Sequence, residues 1–121
     1  MLEINEYQKK AHETADYPTG IIYDNKSTKS CLADYIYPAL GLAEEAGEVA
    51  GKYAKAVRDC SGGIDRERKE YIVKELGDVC WFVAELATLL GVSLEEIMQK
   101  NLDKLASRKE RNVIHGNGDN R

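Results

Sequence analysis

The chain has 121 residues, enough for one domain whose core hides about two-thirds of the unfolded surface. A formal net charge of −4 argues against a nucleic-acid groove or an anionic membrane partner. No stretch approaches the roughly 20 apolar residues of a membrane span. Cys31, Cys60 and Cys80 are odd in number and lack CxxC spacing, and residues 1–6 carry no signal-peptide pattern, so the expectation is a soluble, cytoplasmic protein with reduced thiols.

In chain order, Asn5 is placed to cap a first helix, with Gln8 at the reciprocal position of a capping box. Tyr7, Ala11 and Ala15 line that helix, and Pro18 followed by Gly20 ends it. The polar stretch 23–30 reads as a loop. Residues 32–37 allow one or two helical turns before Pro38, which fits best in the first turn of the next helix.

From Pro38 to about Asp59 a second helix carries the apolar stripe Leu42, Ala46, Val49, Ala50, Tyr53 and Val57, with Glu45, Glu48 and Lys52 on a neighbouring stripe. Gly41, Gly47 and Gly51 are costly inside a helix, which points to a close approach by another helix or a ligand. A third helix, capped by Asp65 and stopped by Gly91, carries the core stripe Ile72, Val73, Leu76, Val79, Val83, Leu86 and Leu90. Glu75, Asp78, Phe82 and Glu85 lie beside that stripe, and Cys80 is assigned to packing.

The run Ser93-Leu94-Glu95-Glu96 is a capping box for a fourth helix reaching to near Arg111, with Asn101, Lys104 and Arg108 on one polar face. The expected fold is an all-α antiparallel bundle of about four helices, completed by dimerisation. It occupies residues 1–112 and leaves 113–121 as a tail.

Two carboxylate pairs stand out. Glu45/Glu48 and Glu75/Asp78 each sit three residues apart among Leu, Val, Ala and Gly. At that spacing, side chains share a helix face, and like charges repel. If the two helices pack together, four carboxylates converge, and an all-oxygen set suits a hard divalent cation such as Mg²⁺. Read as bland surface, the pairs form the solvated acidic face of a helical adaptor, with Lys52 salt-bridged to Glu48 four residues earlier. A ferritin-like di-iron site is excluded, because it requires Glu-x-x-His, whereas Lys9 and Asn112 stand three residues before His12 and His115. Both histidines read as surface residues.

The run Glu44-Glu45-Ala46-Gly47-Glu48, followed by Glu75-Leu76-Gly77-Asp78, resembles the EExxE…ExxD signature of the MazG-like, all-α nucleoside triphosphate pyrophosphohydrolases. The similarity extends to Tyr7-Gln8, to residues 41–48, to residues 75–82 and to residues 101–108. Phe82 departs from the pattern, since hydroxyl-bearing aromatics are common there. The resemblance implies hydrolysis of a nucleoside or deoxynucleoside triphosphate to the monophosphate and pyrophosphate, as in nucleotide-pool housecleaning.

It further implies Glu45, Glu48, Glu75 and Asp78 as ligands of two or more Mg²⁺ ions, with Mn²⁺ able to substitute. Glu44 would be a supporting carboxylate that orients water. Lys52, Asn101, Lys104 and Arg108 would hold phosphate oxygens. Tyr35, Tyr37, Trp81 and Phe82 are the aromatic candidates for a base pocket, weighed against ordinary core packing. The expected assembly is a homodimer, or a homotetramer built from it, with no nucleic-acid or membrane partner.

Overall fold

A computed structural model describes residues 1–17 and 32–120, with 32–34 described by backbone alone. Four α-helices occupy them: α1 (Ile4–Glu13), α2 (Leu32–Cys60), α3 (Arg66–Leu89) and α4 (Leu94–Glu110). No strand occurs among the described residues, and the fold is the expected all-α bundle. Pro18, Gly20, the stretch 23–30, Cys31 and Arg121 lie outside the described residues.

The long helices α2 and α3 pack along each other, α1 lies on α3, and α4 touches α1 and α3. The chain bends by 102° between α3 and α4. Among the described residues α4 makes no close approach to α2. No single helix there is long and apolar enough to cross a membrane.

Helix ends follow local chemistry in three places. Asp65 caps α3 by accepting from Arg68 N at 2.8 Å. Gly91 takes φ +70. That lets Gly91 N reach Thr88 O, and Val92 N reach Ala87 O, each at 3.0 Å, closing α3 as a Schellman turn. Ser93 accepts from Glu96 N at 3.0 Å at the start of α4.

The first helix differs from the expectation. Its N-cap is Glu3, which makes no side-chain cap bond. Asn5 and Gln8 instead serve α4: Gln8 accepts from Leu94 N at 2.7 Å and Asn5 from Glu95 N at 3.3 Å. Gln8 also donates to Val92 O at 2.9 Å. With Ser93, three side chains thus satisfy three of the four orphan donors at the start of α4. Two of them come from a helix more than 80 residues away in sequence, and α1 is thereby stitched to the α3–α4 corner.

Pro38 also lies deeper than expected, inside α2 rather than in its first turn. It is fully buried, and one rung of the α2 ladder is lost there for want of an N–H.

The core runs along different stripes from those read in the sequence. On α2 the inward positions are Pro38, Gly41 and Ala56, with Glu45 and Lys52 half-buried on the same side. Ala46, Ala50, Tyr53 and Val57 are exposed while Leu42 and Val49 are half-buried, so within one chain most of the apolar stripe of α2 faces outward, and Glu45 and Lys52 of the neighbouring stripe face α3 while Glu48 does not.

On α3, Ile72, Phe82, Ala84, Glu85 and Ala87 are buried, while Val73, Leu76 and Leu90 are exposed and Val79, Val83 and Leu86 are intermediate. Cys80, assigned to packing, is exposed. Ala11, Ala84 and Leu94, with Tyr7, Trp81 and Val83 around them, form the small core where α1, α3 and α4 meet.

Candidate active site

The packing of α2 on α3 is closest at Gly41. A Cβ there would lie 2.2 Å from Phe82 Cζ, so only glycine lets this ring seat against the helix. Gly47 and Gly51, also expected to mark close approaches, have nothing within 4 Å of a would-be Cβ among the described residues. One turn beyond Gly41, Glu45 faces α3.

Glu45, Glu75 and Asp78 each offer a carboxylate oxygen, and these atoms all lie within 4.8 Å of one another. The two predicted pairs therefore converge, though through three residues rather than four. Glu48 is exposed and stands outside this group, and Glu44 is exposed as well. Burial raises the Glu45 carboxyl above its ordinary value, and the charges of Asp78, Glu75, Glu44 and Glu48 push it the same way.

One cation enters the cluster. Lys52 Nζ lies 3.0 Å from Glu75 Oε1, with side chains only 26% and 19% exposed. Lys52 thus reaches across to α3 instead of pairing along its own helix with Glu48. Its hydrogen bond to Glu75 raises its pKa, and the charges of Glu75 and Glu48 add to that against a smaller desolvation cost.

Among the described residues the donor set is all oxygen, with no His or Cys in the group. Its anionic charge exceeds what one lysine neutralises. Both features fit a hard divalent ion of the Mg²⁺ or Mn²⁺ type.

Beside the cluster opens a cleft of about 310 Å³ lined by Thr14, Asp16, Tyr17, Tyr37, Glu45, Asp78, Trp81 and Phe82. Its lining joins Glu45 and Asp78 of the cluster, and Asp16, to four aromatic rings. Tyr17 and Tyr37 stack with centroids 4.9 Å apart and planes 21° from parallel. Trp81 meets Phe82 edge-on at 4.9 Å. Trp81 Nε1 donates to Thr14 Oγ1 at 2.8 Å and to Ala11 O at 3.1 Å, tying α3 to the end of α1.

Of the aromatic candidates, Tyr37, Trp81 and Phe82 line this cleft. Tyr35 does not, and its hydroxyl donates to Leu89 O at 2.8 Å.

The polar residues of α4 lie elsewhere. Asn101 is exposed, Lys104 Nζ stands 3.5 Å from Asp119 Oδ1, and the buried Arg108 donates to Asp119 O at 3.0 Å. Lys104 first and then Arg108 hold the Asp119 carboxyl below its ordinary range. Arg108 Nε is buried and has no hydrogen-bond partner among the described residues.

The family profile of the MazG nucleotide pyrophosphohydrolase domain matches residues 38–113. This chain belongs to the MazG family. Its MazG segment holds all of the clustered carboxylates, Lys52 and the α4 residues, so the motif-bearing α2–α3 pair is the family's own framework.

The chain is 44% identical over 120 residues to "Gene 37 protein" of Mycobacterium phage L5, covering 99% of this chain and all of that protein. It is 41% identical over 78 residues to "Uncharacterized protein YvdC" of Bacillus subtilis (strain 168), covering 57% of this chain and 70% of that one. No solved structure matches the chain.

The wall of the cleft made by Thr14, Asp16 and Tyr17 precedes the MazG match. Nothing in the sequence singles these residues out, because they meet α3 more than 60 positions later. His12, read as a surface residue, is exposed, yet its Nδ1 lies 3.0 Å from the buried Glu85 Oε2. Glu85 itself was placed only by its stripe.

Proposed function

We propose that this protein hydrolyses a nucleoside or deoxynucleoside triphosphate to the monophosphate and pyrophosphate, in the service of nucleotide-pool housecleaning in the cytoplasm. The observation that carries this reading is the convergence of Glu45, Glu75 and Asp78 at the end of an aromatic cleft. Phosphate chemistry needs the first feature, and a planar base suits the second.

Glu45, Glu75 and Asp78 would hold the metal, with Glu48, three residues on from Glu45, as the further ligand implied by the motif. When bound, two or more Mg²⁺ ions, or Mn²⁺ in their place, neutralise phosphate oxygens and lower the pKa of water. Everything else falls to the chain. Lys52 stands at the cluster with an ammonium that can pass from Glu75 to a phosphate oxygen, keeping that negative charge compensated before and after substrate arrives. Glu44, next to the ligand Glu45, orients the attacking water. Tyr37 and Trp81 border the cleft where a base fits, and Phe82, seated on Gly41, forms its floor.

Asn101, Lys104 and Arg108, which lie away from this cleft within one chain, are the residues the family motif implies for the outer phosphates. The unpaired, buried Nε of Arg108 supports an anion at that position. In the metal-free chain, Asp119 holds both of its basic neighbours, and substrate phosphate replaces it.

The active unit is a homodimer, or a homotetramer built from two such dimers. Leu40 and Val57 are 66% and 68% exposed, and Tyr53, Val73 and Leu76 are also exposed. That is more apolar surface on the α2–α3 pair than a chain of this size is expected to leave to water.

The test is a panel of ribo- and deoxyribonucleoside triphosphates incubated with Mg²⁺, with products identified. A monophosphate with pyrophosphate is expected. A diphosphate with free phosphate would overturn the reading.

A further inference from the structure

The mechanism above leaves one buried acid without a task. Glu85 on α3 is 1% exposed and flanked by the fully buried Ala84 and by Ala87. An ionisable group in such a place costs stability unless every oxygen is partnered, and an apolar residue of similar size would fill the space at less cost. Both oxygens are partnered. Oε1 accepts from the Tyr17 hydroxyl at 2.6 Å, and Oε2 lies 3.0 Å from His12 Nδ1.

The two partners stand on either side of the end of α1, which closes at Glu13. Tyr17 lies past that end, where no helix fixes it. Its ring is stacked on Tyr37 and lines the cleft. Asp78, Phe82 and Glu85 recur at i, i+4 and i+7, one face of α3. A single helix face thus presents a clustered carboxylate, the floor of the aromatic cleft and the anchor of its outer wall.

We propose that Glu85 is a positioning residue. Its buried carboxyl fixes the Tyr17 ring, with His12 holding the second oxygen, so that the aromatic cleft is formed before a nucleobase enters. This inference rests on the nucleotide reading of the site and adds the device that preorganises its base-binding half. Preorganisation of this kind acts on affinity for the base-bearing part of the ligand and leaves the phosphate end alone.

The full-length protein allows a direct test through its one tryptophan. Trp81 lines the cleft, so its emission reports occupancy without turnover. The probes are a set of nucleoside monophosphates and, separately, inorganic pyrophosphate, each with Mg²⁺. Tyr17→Phe removes only the hydroxyl that Glu85 holds, and Glu85→Ala removes the anchor. Each is expected to weaken monophosphate binding about tenfold, while Glu85→Gln, which keeps an acceptor for Tyr17, stays within about threefold. Pyrophosphate affinity should be unchanged in all three.

Should Glu85→Ala fail to fold, Tyr17→Phe decides. Wild-type monophosphate affinity in Tyr17→Phe overturns the proposal, as does an equal loss of pyrophosphate affinity, which would mark a general structural role. If wild type hydrolyses triphosphates while Tyr17→Phe binds normally, only the positioning role falls. If wild type shows neither turnover nor a Trp81 response with any nucleotide, the nucleotide reading falls and takes this inference with it.

Discussion

Lys52 on α2 places its ammonium 3.0 Å from Glu75 Oε1 on α3, inside a knot of carboxylates that would otherwise repel one another. The same ammonium lies 5.6 Å from the centre of the Tyr71 ring, which braces it from the side. The pair is a temporary partnership in the proposed chemistry, because a cation bound by Glu75 competes with Lys52 and a phosphate competes with Glu75.

Lys52→Met separates these roles. Without the ammonium, Glu75 is free, and Mg²⁺ measured by calorimetric titration should bind more tightly than to wild type. The metal-free fold should lose a little stability, since the pair is only partly shielded from water. Loss of a charge-assisted phosphate contact should raise KM for the triphosphate about tenfold or more. Weaker Mg²⁺ binding, or an unchanged KM, contradicts this placement.

The carboxylate knot sets stability against function. Glu45→Gln, Glu75→Gln and Asp78→Asn each remove one repelling charge and keep the side-chain shape. Without Mg²⁺, Glu45→Gln and Asp78→Asn should melt above the wild-type temperature, by a few degrees for about 1 kcal/mol of relieved repulsion, whereas Glu75→Gln also gives up its pair with Lys52 and should stay near wild type. With Mg²⁺, wild type should gain stability and the amides much less. Thermal melts with and without the cation check both halves, and a solvated acidic face predicts no difference among the four proteins.

Much of this was legible in the sequence, and the limits have physical causes. Asp65, Gly91 and Ser93 act through neighbours within five positions, so their local patterns were sufficient to place the start and end of α3 and the start of α4. The acidic motif disclosed Glu45, Glu75 and Asp78 because helical spacing alone puts such residues on one face.

Asn5 and Gln8 read as a cap for their own helix, yet they cap another. The residue types that satisfy an orphan N–H are the same whether the donor is near or far in sequence. The apolar stripes of α2 and α3 were sound as periodicities. Which stripe turns inward was settled by the fit of Phe82 on Gly41 and by the acidic faces meeting, and neither shows in a hydrophobic pattern. Tyr17 had no sequence signal and Glu85 only its place on a stripe, since their bond spans 68 positions.

Gly41→Ala tests the contact that sets the distance between α2 and α3. The new methyl would stand 2.2 Å from Phe82 Cζ, so the ring must move. Overpacking of this kind costs about 1–3 kcal/mol. The unfolding free energy from urea titration should fall by that amount, and the added substitution Phe82→Leu should recover part of it. A Gly41→Ala protein as stable as wild type would show that α2 and α3 do not pack through this pair.

The tail contact depends on pH with a definite sign. The Asp119 carboxyl is held below its ordinary value by Lys104 and then Arg108. Its contribution is therefore complete above the ordinary aspartate range and disappears as pH falls through the depressed value. Amide hydrogen exchange around residues 113–120 should speed up over that interval, and in Asp119→Asn it should be fast at all pH values. In the same variant Lys104 is released while Arg108 keeps its bond to the Asp119 backbone carbonyl, and KM for the triphosphate should fall, whereas Lys104→Ala and Arg108→Ala should raise KM with Mg²⁺ affinity unchanged. Slow tail exchange in Asp119→Asn would contradict the contact.

The central claim is that Glu45, Glu75 and Asp78 form a metal-dependent phosphoryl-transfer centre. It is tested most directly by measuring pyrophosphate release from the preferred triphosphate as Mg²⁺ is titrated, in wild type beside Asp78→Asn. Wild type should be inactive without the cation and saturate with it, while Asp78→Asn, folded by its melting curve, should retain less than about 1% of that rate, in line with the several kcal/mol that metal-ion catalysis supplies. Pyrophosphate release at the wild-type rate from Asp78→Asn, or from wild type in the presence of a chelator, would contradict the account.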